Sequence, residues 1–143
     1  MSDTAKQVTL TIPMHPDMEL AAAKTASVLA ELMNFGEGEV EEIQLAIIET
    51  CINAFEHSKS DDQEVHIDFL LKDDELQFKV TDRGVGISPD TLDGSRLLGS
   101  PGVHTDLRKR GRGLQIIKSL MDEVDIESSP NGTTVKIIKR KKL

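Results

Sequence analysis

The chain is short of the features that would anchor it in a membrane, staple it with disulfides or hold a metal through thiols. Cys51 is its only cysteine, which excludes a disulfide framework and an all-cysteine metal site within one chain. No apolar run approaches the length of a membrane span, and the polar N-terminus lacks a signal-peptide core. Positive charge is also scarce: 17 Lys and Arg against 25 Asp and Glu leave a formal net charge of −8. A general nucleic-acid binder needs a clustered positive face to neutralise phosphates. None of the histidines stands at metal-ligand spacing from another, and there is no internal repeat or low-complexity segment. These absences set the expectation of a cytoplasmic protein with no membrane contact and no direct nucleic-acid partner.

What is present suits one domain spanning residues 1–143, with 38% hydrophobic and 29% charged residues. Val8, Leu10 and Ile12 alternate as in a short strand, which Pro13 and Pro16 break. Asp17 is placed to cap a helix reaching about Met33, where Asn34, Phe35 and Gly36 interrupt the pattern. A second helix fits Glu39 to about His57, with Val40, Ile43, Ile47, Cys51 and Ala54 at helical spacing. Two runs of period two follow: Val65, Ile67, Phe69 and Leu71, then Leu76, Phe78 and Val80, joined at Asp73-Asp74. The stretch from Ser88 to Arg110 holds three glycines and two prolines without a sustained period, as a functional lid would. A third helix fits Gly113 to about Glu123. Val124–Ser128 and Thr133–Ile138 then form a hairpin around Pro130-Asn131-Gly132. The order predicts an α+β two-layer sandwich, three helices packed on one face of a mixed, mostly antiparallel sheet.

Four places could carry chemistry. Asp82 shares strand parity with Leu76, Phe78 and Val80, which aims its carboxylate under the helices. A buried carboxylate requires a partner. The competing reading ends the strand at Thr81 and lets Asp82 cap the turn before Gly84 and Gly86. In "ETCINAFEH", Glu49 and Asn53 are four apart, so their Cβ atoms lie about 5–6 Å apart on one helix face. That face opposes the Val40/Ile47/Cys51 stripe. It is either simply the wet face or a carboxylate–amide pair able to activate a hydroxyl and ligate magnesium. In "RKRGRGLQII", Gly111 and Gly113 open a helix within a cluster of Arg108, Lys109, Arg110 and Arg112, where an anion site would be expected. Gly132-Thr133-Thr134 is sufficiently explained as a turn and strand entry. The run Lys139–Lys142 reads as a solvated tail.

In this order and on these elements, the pieces resemble the GHKL ATP-binding superfamily, the histidine-kinase-like ATPase fold. Glu49-x-x-x-Asn53 resembles its N box, Asp82-x-Gly84-x-Gly86 its adenine-side glycine motif, Gly111-x-Gly113 its phosphate-side motif and Gly132-Thr133-Thr134 its closing one. Within the superfamily, "ETCINAFEH" and "MDEVDIESSPNGTTV" are most similar to bacterial anti-sigma-factor serine/threonine kinases. The resemblance implies a kinase that uses ATP and Mg2+, phosphorylates an anti-anti-sigma (STAS) protein, sequesters a sigma factor and acts as a homodimer. It also implies roles. Glu49 would be the base for the acceptor serine, and Asn53 would hold magnesium. Asp82 would accept from the adenine amino group, with Gly84 and Gly86 shaping the base pocket and Thr133 lining it. Gly111 and Gly113 would donate backbone N–H groups to phosphate, aided by Lys109 or Arg110. A non-catalytic, nucleotide-responsive binding module in a partner-switching pathway is the alternative.

Overall fold

The alternation of Val8, Leu10 and Ile12 builds β1 (Lys6–Pro13), longer than the apolar residues alone mark out. The computed structural model describes residues 6–57, 63–83, 115–130 and 132–142. After β1 come α1 (Met18–Leu32), α2 (Glu37–His57), β2 (Glu64–Leu71) and β3 (Glu75–Asp82). Residues 115–120 are helical (α3), and β4 (Glu123–Ser129) and β5 (Gly132–Arg140) end the fold.

Alanine-rich sequence drives α1, because alanine loses no side-chain freedom in a helix. Ala22, Ala23, Ala26 and Ala30 form its buried face against α2. Asp17 is the N-cap as expected, but with φ 79° and no side-chain hydrogen bond to the helix. It therefore turns the chain rather than satisfying a free N–H. At the other end Asn34 takes a left-handed φ of 66°. Phe35 N donates to Ala30 O (3.0 Å) and Asn34 N to Glu31 O (3.0 Å), which closes the helix in the Schellman pattern. Buried Phe35 seals the corner. Helix α2 then starts with Glu39 Oε1 accepting from Gly36 N (3.1 Å) and acidic Glu37 and Glu39 in its first turn, the arrangement its dipole favours.

The five strands form one sheet in the order β1-β2-β3-β5-β4. All four pairings are antiparallel, so the sheet is not mixed. The connection through residues 83–122 does bring β4 back parallel to β3. The β4–β5 hairpin then places β5 between them, so no parallel pair is hydrogen-bonded among the described residues. The helices cover one face, where Ile12, Val65, Ile67, Phe69, Leu76, Phe78, Val80 and Ile137 are buried. Phe69 and Phe78 face each other across β2–β3 with ring centroids 6.1 Å apart. The opposite face carries polar cross-strand pairs such as Thr9–Asp68 (3.1 Å) and Thr11–His66 (3.3 Å). The expected α+β two-layer sandwich is the architecture found.

The third helix stops sooner than its pattern suggests. The helix gives way to a bend at 121–122, and Glu123 already begins β4. Asp122 explains this: its N–H donates to Ile138 O (3.0 Å) and its Oδ2 accepts from Arg140 N (2.6 Å). Backbone bonding has passed from the helix to the sheet.

Two anchors fix the direction of α2. Near its start, Glu42 is bonded to Lys139 of β5 (2.8 Å). At its end, only residues 58–63 separate His57 from Glu64, and Val65 pairs with Asp82. Lys139 pairs with Leu76 at one end of β3 and Thr133 with Asp82 at the other. Helix α2 therefore runs along the sheet from the Lys139 end to the Asp82 end.

Candidate active site

Asp82 is the last residue of β3 and is only 3% exposed. The strand continues through it, so the alternation of Leu76, Phe78 and Val80 carries its side chain to the helix-covered face. The turn-cap reading gives way to the inward one. Directly across the β3–β5 ladder stands Thr133, also 3% exposed. Next to it on β4, Ser128 Oγ lies 3.3 Å from Thr133 Oγ1. An acid and two hydroxyls thus form a polar row across three strands at the rim of an apolar face. On the far face, Thr81 and Thr134 repeat the contact at 3.3 Å.

Gly132 lets these strands close up. Its φ is 143°, and a Cβ there would collide with the Asp82 carbonyl oxygen and come within 3.0 Å of Arg83 Cα. The glycine in the Gly132-Thr133-Thr134 motif is therefore required by the approach of β5's start to β3's end, beyond the needs of a turn. Thr81, Asp82, Arg83, Glu127, Ser128, Ser129, Gly132 and Thr134 line a cleft of about 330 Å³, which takes in the far-face pair Thr81–Thr134 and not Thr133.

The helix contributes from above. Glu49 and Asn53 lie in the second half of α2, the half that runs toward the Asp82 end. Both are half-buried, so this is not simply a wet face. The buried arc is wider than the Val40/Ile47/Cys51 stripe because Ala46 and Thr50 extend it toward Asn53. Thr50 affords this by returning its hydroxyl to Ala46 O (2.7 Å). One end of the Asn53 amide, Nδ2, is enclosed with no hydrogen-bond partner among the described residues. An enclosed amide end with a bond still to make is what a ligand-binding position leaves behind.

Gly84, Gly86, Lys109, Arg110, Gly111, Gly113 and the lid at about 88–110 lie outside the described residues. Of the sequence-selected positions, the structure thus brings Asp82 and Thr133 face to face and directs Glu49 and Asn53 toward the same sheet end.

One feature escaped the sequence reading. Lys139 and Arg140 belong to β5 rather than to a solvated tail. Lys139 is 5% exposed, and its Nζ donates to Glu42 Oε1 (2.8 Å) and Leu120 O (2.6 Å). Arg140 pairs with Glu75 (3.4 Å) and Glu123. Strand parity carries the signal, since Thr133, Val135, Ile137 and Lys139 share one face.

The sequence pattern of the histidine kinase-like ATPase domain matches residues 14–139. The chain belongs to that family. Among curated members of this ATPase family, it is 31% identical to the serine-protein kinase RsbW of Bacillus pumilus, over 97% of this chain and 88% of that protein. It is 29% identical to the RsbW of Bacillus subtilis, with the same coverage. The histidine kinase-like fold is also found in the crystal structure of the RsbU and RsbW domains of Rv1364c from Mycobacterium tuberculosis. That match has a TM-score of 0.70 at 18% identity and covers 95% of this chain. The match spans 32% of the chain in that crystal structure. The histidine kinase domain of the Erythrobacter litoralis EL346 blue-light activated histidine kinase matches with a TM-score of 0.53, at 18% identity.

Proposed function

We propose that the protein is an ATP-dependent serine/threonine protein kinase and anti-sigma factor. Its acceptor is a serine of an anti-anti-sigma (STAS) protein, and its second partner is a sigma factor. Membership of an ATPase-domain family and likeness to serine-protein kinases support ATP use. The observation that carries the reading is the convergence, at one end of the sheet, of Asp82 and Thr133 on the strands with Glu49 and Asn53 on α2.

The chain's residues divide the chemistry between them. On the sheet, the buried Asp82 carboxylate accepts from the exocyclic amino group of the base, and Thr133 lines the pocket beside it. Asn53 would hold magnesium through its Oδ1, the oxygen a hard cation takes, while its enclosed and unpartnered Nδ2 is a donor suited to a phosphate oxygen. Magnesium bound there would supply neutralisation of phosphate charge. Glu49, one helical turn earlier, takes the proton from the acceptor hydroxyl. The serine oxygen then bonds to the γ-phosphorus as the bond to the β-phosphate oxygen breaks and ADP leaves. Such transfer depends on positioning and charge neutralisation more than on covalent help from the protein. Gly111 and Gly113 supply phosphate donors, with Lys109 or Arg110 beside them, and Gly84 and Gly86 clear space for the base. The segment at about 88–110 acts as a lid over the nucleotide. In this reading the protein acts in the cytoplasm as a homodimer. No described helix is long and apolar enough to cross a membrane.

The test is incubation with Mg-ATP and the cognate STAS protein, with phosphoserine read by mass spectrometry. The wild type should transfer. Glu49→Ala should fall by roughly 10²–10⁴-fold, the usual contribution of a positioned base. Absence of phosphoserine, or transfer unchanged in Glu49→Ala, would sink the catalytic reading. ATP-dependent capture of the STAS protein without transfer would favour a nucleotide-responsive binding module instead.

A further inference from the structure

Lys139 is the one buried lysine among the described residues, and nothing in the nucleotide chemistry above uses it. Its ammonium lies in the interior between three elements, held by Glu42 of α2 at 2.8 Å and by the Leu120 carbonyl at 2.6 Å. Leu120 closes the last turn of α3, where carbonyls lack helical partners and a cation is favoured. Lys139 is thus a strut from β5 to two helices at once. α2 carries Glu49 and Asn53. α3 follows the Gly111–Gly113 motif in the chain.

The strut meets α2 on the flank that matters. Glu42, Glu49 and Asn53 are seven and eleven residues apart, close to two and three helical turns, so they share one side of the helix. Glu49 lies about 10 Å along the axis from Glu42, at 1.5 Å per residue. A roll of α2 about its axis would carry all three together. The most extensive contacts of α2 are with α1, β2 and β3, and the Lys139–Glu42 bond adds a polar tie to β5 that resists such a roll.

We propose that Lys139, through Glu42 and the Leu120 carbonyl, is a positioning residue that sets the rotation of α2. It thereby aims Asn53 and Glu49 at the phosphate end of the nucleotide. This rests on the functional reading above. The base contacts, Asp82 and Thr133, belong to β3 and β5 and do not pass through α2. The strut therefore governs metal-assisted phosphate alignment and leaves base recognition alone.

The test compares wild type with Lys139→Met, Lys139→Arg and Glu42→Gln, well below each variant's melting temperature. ADP affinity is measured by calorimetry with Mg2+ and with EDTA, alongside kcat and KM for transfer to the STAS protein. For Lys139→Met, metal-free ADP affinity should stay within about twofold of wild type, and the tightening produced by Mg2+ should be lost. Its kcat should fall by about 10–100-fold, as misplacement by an ångström or so can cost. Lys139→Arg, which keeps a cation with donors for both acceptors, should lie closer to wild type on both measures. If Lys139→Met does not fold, Glu42→Gln reads the same split with a smaller change. Equal loss of metal-free and Mg2+-dependent affinity, or an unchanged Mg2+ increment and kcat, would overturn the proposal. If the wild type binds Mg-ADP but transfers nothing, the kinase reading falls while the Mg2+ increment still decides the role of Lys139.

Discussion

Cys51 lies on the buried stripe of α2 with no solvent exposure. Burial, and secondarily the charge of Glu19, push its thiol from 9.0 up to about 12. The folded protein therefore keeps a proton that the unfolded chain releases. The thiol's contribution to stability is complete below pH 9 and is lost as pH rises from 9 toward 12. The expected slope over that window is about 1.4 kcal/mol per pH unit from this residue. Urea unfolding across the alkaline range should show it, and Cys51→Ala should flatten that limb relative to wild type. An identical alkaline slope in the two proteins would contradict the burial argument. Cys51 was legible as a core residue because helical spacing repeats locally. Asp82 was legible for the same reason, with period two in place of 3.6. Asn53 was legible as a candidate from its spacing to Glu49, but its partial burial was not: the extra burial comes from Ala46 and Thr50, small or polar residues that add little to a hydrophobic stripe. Lys139 followed the parity of Ile137 and Val135, but a run of basic residues at the C-terminus resembles solvated chain until the pairing with Leu76 is known.

Among the elements, the β4–β5 hairpin joins sequence to site most tightly. Its turn was evident from Pro130-Asn131-Gly132. That the glycine also gives clearance to β3 could not be seen, because Asp82 and Arg83 lie about fifty residues earlier and meet Gly132 only in the sheet. Gly132→Ala should cost about 1–3 kcal/mol, the usual range for strained backbone, since both the φ of 143° and the collision with the Asp82 carbonyl oppose it. Chemical denaturation measures this directly, and an unchanged midpoint would show that the approach of β5 to β3 is not needed. The ends of helices and strands were read less well than their existence. α3 yields to β4 because Asp122 bonds to Ile138 and Arg140, partners outside the helix. α1 ends where Asn34 takes a left-handed turn, a stop that the sequence pattern does mark.

For the molecule as a whole, hydrophobic patterning sufficed for two layers with helices on one face. It did not determine strand order, because the central β3–β5 pairing links segments that no local period connects. That pairing brings Asp82 opposite Thr133, and the direction of α2 over the sheet brings Asn53 and Glu49 to the same end. In the proposed function, this end of the sheet is an adenine nucleotide site anchored by the Asp82 carboxylate. Calorimetric titration of Mg-ATP into wild type and Asp82→Asn tests it most directly. The substitution keeps shape and volume while replacing the charged acceptor. Loss of a charged hydrogen bond worth about 1.5–3 kcal/mol predicts roughly 10–100-fold weaker binding in the variant. Equal affinity in both proteins, or no binding by the wild type, would contradict the account.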